Sequence, residues 1–378
     1  MKLKKHILFI LVIASMFCAN IFSLKALNSD ASEQAHAQDK HVEKEKFDAG
    51  SFIFGHIGDA YDWHVTDIGE TKITIPLLVI AKSQSRGWFV FPSSKLGHGH
   101  QAFQGFEIAH EGSYKDKLVE MLPDGTQVRP LDLSITKNVA SLLISAILLI
   151  VIFLSLANFY KRDPKKVPGG FFGMLEVLVI FIQDEVIKPG IGKSYAKFSP
   201  YLLTLFFFIL INNLLGIIPI FPGGANLTGN IATTMVLALL SMLLINVFAN
   251  KAYWEEIFLV PDMPKWLRQP IPFMPFLELV GVITKPLALC IRLFANMIAG
   301  HMILMVFMSI IFIFGSISPL LGSGVSVFAL FFAVFMNLLE IIVVFLQAYV
   351  FTMLTSFFIG MAHPEHHAKK EHQPIEQH

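Results

Sequence analysis

An arginine, Arg292, lies within the apolar run KPLALCIRLFANMIAGHMIL, which extends from Lys285 to Leu304. If a helix extends from about Pro275 to about Gly315, Arg292 lies ~25 Å from its nearer end at 1.5 Å per residue. Few arginine side chains reach that far, so this charge is expected to face protein or water inside a membrane. A charge at that depth costs at least ~2.5 kcal/mol, and therefore indicates a function.

Small and charged residues share one side of this helix with Arg292. At about 100° per residue, they form a single stripe along the helix. Small residues beside the arginine let another helix approach closely. The other members of the stripe are Glu278, Gly281, Lys285, Ala288, Ala295 and Ala299.

His301 and Glu340 predict a second kind of chemistry. His301 follows Arg292 by nine residues, which places it on the opposite face of the helix. Arginine supplies a fixed charge, whereas histidine can bind and release a proton near neutral pH. In the next apolar segment, Glu340 and Gln347 are seven residues apart and lie about 20° from each other on one face.

Two unusually long apolar segments must position these residues, at Phe273 to Ile317 and Val325 to Ala362. Each is nearly twice as long as an upright membrane span requires. Either each segment divides into two spans, or each is one steeply tilted helix. The middle of neither segment contains a proline, a glycine cluster or a charged turn, which favours tilted helices.

Three shorter spans are expected before them. They extend from Val139 to Phe159, from Pro200 to Pro219 and from Ile231 to Ala249. Phe171 to Ile182 is apolar but short, which suits a helix lying in the membrane interface. Basic residues follow the first and third spans and mark those ends as cytoplasmic; they include Lys161, Arg162, Lys165, Lys166, Lys251, Lys265 and Arg268.

The N-terminal third has a different composition. Residues 1–26 show the charge, apolar core and small-residue order of a signal peptide, the alternative being an uncleaved anchor. Residues 28–50 predict a polar linker. Between Trp63 and Leu133, apolar runs separated by Gly, Pro and Asp predict short strands and turns. We expect a small β-rich domain at residues 27–135, outside the cytoplasm.

The bulk composition indicates a polytopic membrane protein. The chain has 378 residues, of which 54% are hydrophobic and 15% charged, against about 25% charged in soluble domains. The net charge of +1 does not point to nucleic acid, and the sequence contains no phosphate-binding loop. His98, His100 and His110 form a weak metal pattern, and a solvated loop is favoured. We therefore expect no metal and no cofactor.

Two runs resemble a known family. KPLALCIRLFANMIAGHM is similar to the arginine-bearing helix of subunit a of the rotary ATP synthase. LQAYVFTMLTSFFIGMA, from Leu346 to Ala362, is similar to the last helix of that subunit. The resemblance covers roughly Leu142 to His363, and the first ~135 residues lie outside it.

The resemblance implies roles for individual residues. Arg292 would face the rotor ring and separate two half-channels. His301 and Glu340 would form the proton-access pair away from the cytoplasm, although a common bacterial form carries the carboxylate at the first position and the histidine at the second. Asn296 and Gln347 match positions near this path, or serve packing. Glu278 and Lys285 would serve the cytoplasmic half-channel or form a local pair.

The sequence thus predicts an all-α polytopic membrane protein with about five membrane helices, one interfacial helix and a β-rich N-terminal domain. The membrane domain would cover residues 136–362, and residues 363–378 would form a polar cytoplasmic tail. The expected function is proton translocation in a rotary ATP synthase of a bacterial inner membrane, without nucleotide binding by this chain. The expected partners are the ring subunits (subunit c), the peripheral stalk (subunit b), the soluble ATPase head and lipid.

Two other interpretations remain at this point. A self-contained secondary transporter would use Arg292 to bind an anionic substrate, and it would predict internal repeats, which the sequence does not show. Alternatively, the exported domain would be the working part and the spans its anchor. The choice between H⁺ and Na⁺ depends on the ring carboxylate of another chain.

Overall fold

The computed structural model describes residues 50, 58–68, 71–99, 101–110, 112–122, 124–163, 165, 167–218, 223–259 and 273–363. The predicted signal peptide, nearly all of the predicted linker and the polar tail after residue 363 lie outside these residues. The described chain forms two compact units. The first contains the described residues up to Ser155 together with Phe208–Val236 and Arg292–Leu346, and the second contains Leu156–Phe207, Leu237–Ile291 and the residues from Gln347 onward.

In the first unit, residues 58–135 form a β-rich region of three small antiparallel sheets. Its strands are β1 (Asp62–Ile68), β2 (Thr71–Pro76), β3 (Leu78–Ser83), β4 (Gly87–Pro92), β5 (Phe106–Ile108), β6 (Leu118–Met121), β7 (Gln127–Val128) and β8 (Leu131–Asp132). The sheets are ordered β1-β2, β4-β3-β8 and β5-β6-β7. This agrees with the strands and turns predicted between Trp63 and Leu133.

Strand alternation builds the core of the β-rich region. On β3, Val79 and Ala81 are buried while Leu78 and Lys82 are exposed, as the period of two requires. Together with Phe91, Phe106 and further apolar side chains, the inward residues form one hydrophobic cluster.

Tyr61 connects this core to strand β8. Its hydroxyl donates to Asp132 Oδ2 at 2.5 Å and accepts from the backbone N–H of Leu118 at 3.1 Å. Burial and the charge of Asp132 raise the pKa of Tyr61, so the phenol stays protonated and remains a donor.

Eight α-helices follow in the part of the chain that the structure describes. They are α1 (Lys137–Arg162), α2 (Gly170–Phe181), α3 (Lys188–Ile191), α4 (Tyr195–Ile217), α5 (Ile231–Val247), α6 (Lys251–Leu259), α7 (Phe273–Ile317) and α8 (Pro319–Ala362). Within the described residues, four apolar stretches are long enough to cross a membrane, and α5 is a shorter apolar helix. The predicted fold class, mostly helical with a β-rich N-terminal extension, is confirmed.

The predicted interfacial helix is the start of a longer apolar stretch. Helix α2 continues through a π-helical segment, Ile182–Ile187, into α3, and the chain bends at Gly192 before α4 begins. Gly192 has a φ of 79°, which a residue with a side chain rarely adopts. The placement of α2 in the membrane interface stays a prediction.

In the second unit, α3 and α8 approach closely at two glycines. A side chain on Gly360 would meet the carbonyl group of Gly190, and one on Gly190 would meet Ser356. Ser356 Oγ donates to the carbonyl oxygen of Val186 at 3.2 Å. Small residues therefore set the spacing of these helices, as they do in membrane helix packing generally.

Helices α7 and α8 are unbroken, with 45 and 44 residues. Each long apolar segment therefore forms one helix rather than two spans. Helix α8 begins six residues before the predicted Val325, because Pro319 occupies its first position, where proline is favoured. In the first unit, Phe307 and Phe332 stack at 6.0 Å between ring centroids. The tilt of both helices relative to a membrane stays a prediction.

Candidate functional site

His301 on α7 lies against Glu340 on α8. The His301 Nδ1 atom is 3.0 Å from Glu340 Oε1 and 3.1 Å from the carbonyl oxygen of Met297, one turn earlier. The other ring nitrogen, Nε2, is 3.3 Å from the carbonyl oxygen of Gly216, at the end of α4. Three helices of the first unit thus meet at one imidazole ring.

This arrangement surrounds the His301 ring with hydrogen-bond acceptors. Every polar neighbour named above is an oxygen that accepts hydrogen bonds, and a neutral imidazole can donate from one nitrogen only. The protonated ring can donate from both. Glu340 is 6% exposed, and neither of its carboxylate oxygens accepts a directed hydrogen bond within the described chain. A positive ring beside it would supply the charge that a buried carboxylate requires.

Gly300 makes room for this pair, and the sequence analysis did not select it. A Cβ atom at Gly300 would lie 2.6 Å from Glu340 Oε1 and 2.9 Å from its Cδ. The Gly300–His301 dipeptide, inside a run rich in small residues, was the available signal for this close approach.

The loop between α4 and α5 supplies polar groups near the same end of α4. Thr228 Oγ1 donates to Asn213 Oδ1 at 2.5 Å, and Asn212 Nδ2 donates to the carbonyl oxygen of Phe208 at 2.8 Å. Asn213 Nδ2 and Asn212 Oδ1 are buried without a hydrogen-bond partner in the described chain. This end of α4 therefore carries two buried amide side chains, one of which is held by Thr228 of the loop, with polar atoms that can bind water.

Arg292 and Asn296 lie on the exposed side of α7, together with Ala295 and Ala299. Within the described residues, the Arg292 guanidinium has no hydrogen bond or ion pair. His301 is half-buried against Glu340 and Gly216 instead. The fixed charge and the titratable ring thus lie in different surroundings on one helix.

Three predicted site residues belong to the second unit. Gln347 is buried and Glu278 is exposed. Lys285 Nζ lies 5.5 Å from the ring of Phe358 and lines a cavity of about 20 Å³, large enough for one water molecule, with Asn246 and other residues. Among the described residues, no ion pair joins Glu278 to Lys285.

Tyr253 on α6 belongs to the same part of the second unit. It lines the cavity beside Lys285. Burial and the negative charge of Glu278 raise its pKa, so its hydroxyl stays protonated. The sequence analysis did not select Tyr253, because a tyrosine on a short helix carries no signal of its own.

Of the three histidines in the weak metal pattern, the structure describes the side chain of His110 alone. His110 Nε2 lies 2.8 Å from the carbonyl oxygen of Gly99. The side chain of His98 and all of His100 lie outside the described residues. Within the described residues, no group of three metal-binding side chains is present.

Comparisons with known proteins match most of the chain. The family model for the ATP synthase A chain matches residues 139–360. A model for a domain of unknown function (DUF8433) matches residues 52–133. These two matches meet close to the junction between the β-rich region and α1.

Curated relatives carry the corresponding name. The chain is 41% identical to ATP synthase subunit a of Chlorobium phaeobacteroides over 243 residues, which is 62% of this chain and 67% of the relative. It is 38% identical to ATP synthase subunit a of Chloroherpeton thalassium over 284 residues, 72% of this chain and 78% of the relative. It is 42% identical to ATP synthase subunit a 2 of Chlorobaculum tepidum over 260 residues, 67% of this chain and 70% of the relative.

Proposed function

Because the chain belongs to the ATP synthase A chain family, we propose that it translocates protons through the membrane sector of a rotary ATP synthase. The chain is a multi-pass membrane protein that works together with other ATP synthase subunits. Nucleotide chemistry belongs to those other subunits. We place the soluble ATPase head, the ring of subunit c and the stalk subunit b among its partners.

The observation that carries the proposal is Arg292, an exposed arginine without a partner in the described chain, on an apolar helix. A charge left open in this way within a membrane calls for an opposite charge from another molecule. An ionised carboxylate on a rotor subunit supplies it. A guanidinium stays charged in proteins, so it also bars protons from passing directly between two half-channels.

We assign His301 and Glu340 to the half-channel away from the cytoplasm. The support is their 3.0 Å separation and the acceptors around the imidazole ring. Protons entering from that side would bind the ring and then pass toward the rotor carboxylate. Asn296, exposed beside Arg292, and the buried Gln347 are proposed to line the later part of this path.

We assign Glu278 and Lys285 to the cytoplasmic half-channel. The support is the water-sized cavity beside Lys285 and the exposed carboxylate of Glu278. A proton leaving the rotor would reach water there. The absence of an ion pair between the two residues in the described chain leaves both free to contact water.

We also propose the orientation and the division of the chain. Residues 1–26 form a signal peptide, residues 27–135 an exported domain, residues 136–362 the proton-channel domain and residues 363–378 a cytoplasmic tail. The host membrane is a bacterial inner membrane. The support is the distribution of basic residues: Lys161, Arg162, Lys165 and Lys166 follow the first span, which favours the cytoplasm for that end.

The Arg292→Ala substitution tests the function. We expect it to abolish ATP-driven proton pumping in inverted vesicles while the complex still assembles, because the barrier charge is lost and the fold is not. Arg292→Lys should be severely impaired, since an ammonium offers no planar fork of donors. Normal pumping by the alanine variant would disprove the proposed function.

A further inference from the structure

The β-rich region contacts the proton path that we propose. Trp63, on strand β1, is 2% exposed. Its Nε1–H donates to the carbonyl oxygen of Gly223, in the loop between α4 and α5, at 3.2 Å. The indole also packs in a cluster with Ala140 of α1 and Ala225 of the same loop. A buried indole with its N–H paired is a fixed anchor rather than a mobile surface group.

The loop is fastened in turn to the end of α4. The backbone N–H of Gly224, the residue after Gly223, donates to the carbonyl oxygen of Leu215 at 3.1 Å. A Cβ atom at Gly223 would lie 2.8 Å from that same oxygen, so the loop approaches α4 more closely than a side chain would permit. Gly224 has a φ of 79°, which gives the loop the turn that this approach requires.

The residue after Leu215 is Gly216, whose carbonyl oxygen lies 3.3 Å from His301 Nε2. A Cβ atom at Gly216 would lie 3.5 Å from the carbonyl oxygen of Ala225, so the loop also packs directly on this residue. Trp63 is therefore connected to the imidazole ring through three hydrogen-bond contacts and two peptide links. Each step joins buried or closely packed groups of the first unit.

From this series of contacts we propose that Trp63 is a positioning residue for the proton inlet. It holds the α4–α5 loop, and with it the Gly216 carbonyl group, at the distance that stabilises a proton on His301. The β-rich region is thus part of the inlet rather than an appendage. This inference rests on the function proposed above, because it assumes that His301 receives protons.

The test measures ATP synthesis by the intact complex in proteoliposomes. The pH of the compartment facing the β-rich region is varied from 5 to 8, while a potassium diffusion potential keeps the total driving force constant. Trp63→Phe keeps an aromatic ring in the apolar cluster and removes the N–H donor, together with part of the indole. We expect it to raise the half-saturating proton concentration about two- to tenfold, the factor that the net strength of one hydrogen bond provides. The maximal rate per assembled complex should be unchanged.

Trp88→Phe is the matched control. Trp88 lies in the same region on strand β4, but is 55% exposed. This variant should keep the wild-type proton dependence. The inference is wrong if Trp63→Phe has the same half-saturating proton concentration as the wild type. It is also wrong if Trp63→Phe lowers the maximal rate without changing that concentration, because this result would indicate a purely structural role.

His301→Leu, measured in parallel, separates this inference from the proposed function. If His301→Leu abolishes ATP synthesis while Trp63→Phe keeps the wild-type half-saturating proton concentration, the positioning role is rejected and the proposed path is not. Normal synthesis in His301→Leu would reject the path itself, and the positioning role with it.

Discussion

Gly300 provides the first prediction at the scale of single residues. Gly300→Ala would push the carboxylate of Glu340 away from His301, because the added Cβ would lie 2.6 Å from Oε1. We expect pumping in inverted vesicles to fall roughly ten- to a hundredfold, as displacements near 1 Å do elsewhere. Gly315→Ala, on the same helix with open space around its Cβ, should pump normally. Equal rates for both variants would mean that the pair tolerates displacement.

Exchanging the pair provides the second prediction. His301→Glu alone would place two carboxylates together, and one of them would hold its proton too firmly. Glu340→His alone would remove the negative partner of the ring. We expect both single variants to pump slowly, and the double exchange to recover a substantial part of the rate, measured at matched enzyme content. A double variant no faster than the slower single one would show that the residues act independently.

The sequence predicts the side chains of this site better than it predicts the backbone groups that contact them. His301 and Glu340 could be selected because an ionisable group in an apolar helix is costly, and that cost shows in the residue type. The carbonyl group of Gly216 carries no such signal, since every residue has one. The contact between Trp63 and Gly223 spans 160 positions, and no periodicity in the sequence encodes it.

At the scale of elements, the ion pair that joins β6 to the turn after β3 predicts how the β-rich region responds to acid. Glu120 accepts hydrogen bonds from Ser83 Oγ at 2.7 Å and from Arg86 Nη2 at 2.8 Å. Burial raises the pKa of Glu120, but these hydrogen bonds and the charge of Arg86 outweigh burial, so the pKa lies below its ordinary value. Folding is therefore favoured by the ionised carboxylate.

The sign of the effect follows from linkage. A carboxyl with a lowered pKa contributes its full stability above its unfolded value of 4.5, and the contribution is lost as the pH falls through the lower folded value. We expect hydrogen-exchange protection of strand β6 in the intact complex, corrected for intrinsic rates, to fall below pH about 4.5. Burial raises the pKa of Asp59, so protonation of this carboxyl favours the folded state as the pH falls, which opposes the effect of Glu120.

Glu120→Gln isolates the contribution of this carboxyl. The variant should be less protected at neutral pH and should lose the part of the acid response that Glu120 causes. An unchanged acid response in Glu120→Gln would assign that response to other groups of the region.

The elements themselves were predicted with uneven success. The bounds of α7 follow from its apolar run, and they agree with the structure at Phe273 and Ile317. The π-helical turn at Ile182–Ile187 was not foreseen. The apolar run predicts a helix that ends at Ile182, but the polar residues after it continue the helix. Within this π-helical segment, the carbonyl oxygen of Val186 accepts a hydrogen bond from Ser356 of α8, a contact that the local sequence does not encode.

At the scale of the whole molecule, the proposed orientation predicts which parts of the chain a reagent can reach. In a chain in which Cys18 and Cys290 are replaced by alanine, Ser94→Cys should react with an impermeant maleimide in cells whose outer membrane is permeabilised. Gln373→Cys should not react until the inner membrane is opened. Ser94 is exposed on the β-rich region, so burial would not explain a failure to react. The reverse pattern would refute the number of spans.

The unbroken length of α7 also has a consequence for membrane insertion. Its 45 residues extend over ~67 Å, whereas the hydrocarbon layer is about 30 Å thick. At the tilts of up to about 40° that are usual for membrane helices, such a layer covers only some 26 residues. The remaining apolar residues enter the membrane only when a neighbouring helix holds α7 at a steeper angle. Because α8 follows α7 in the chain and contacts it at His301 and Glu340, α7 can settle into its final position only after α8 has been made.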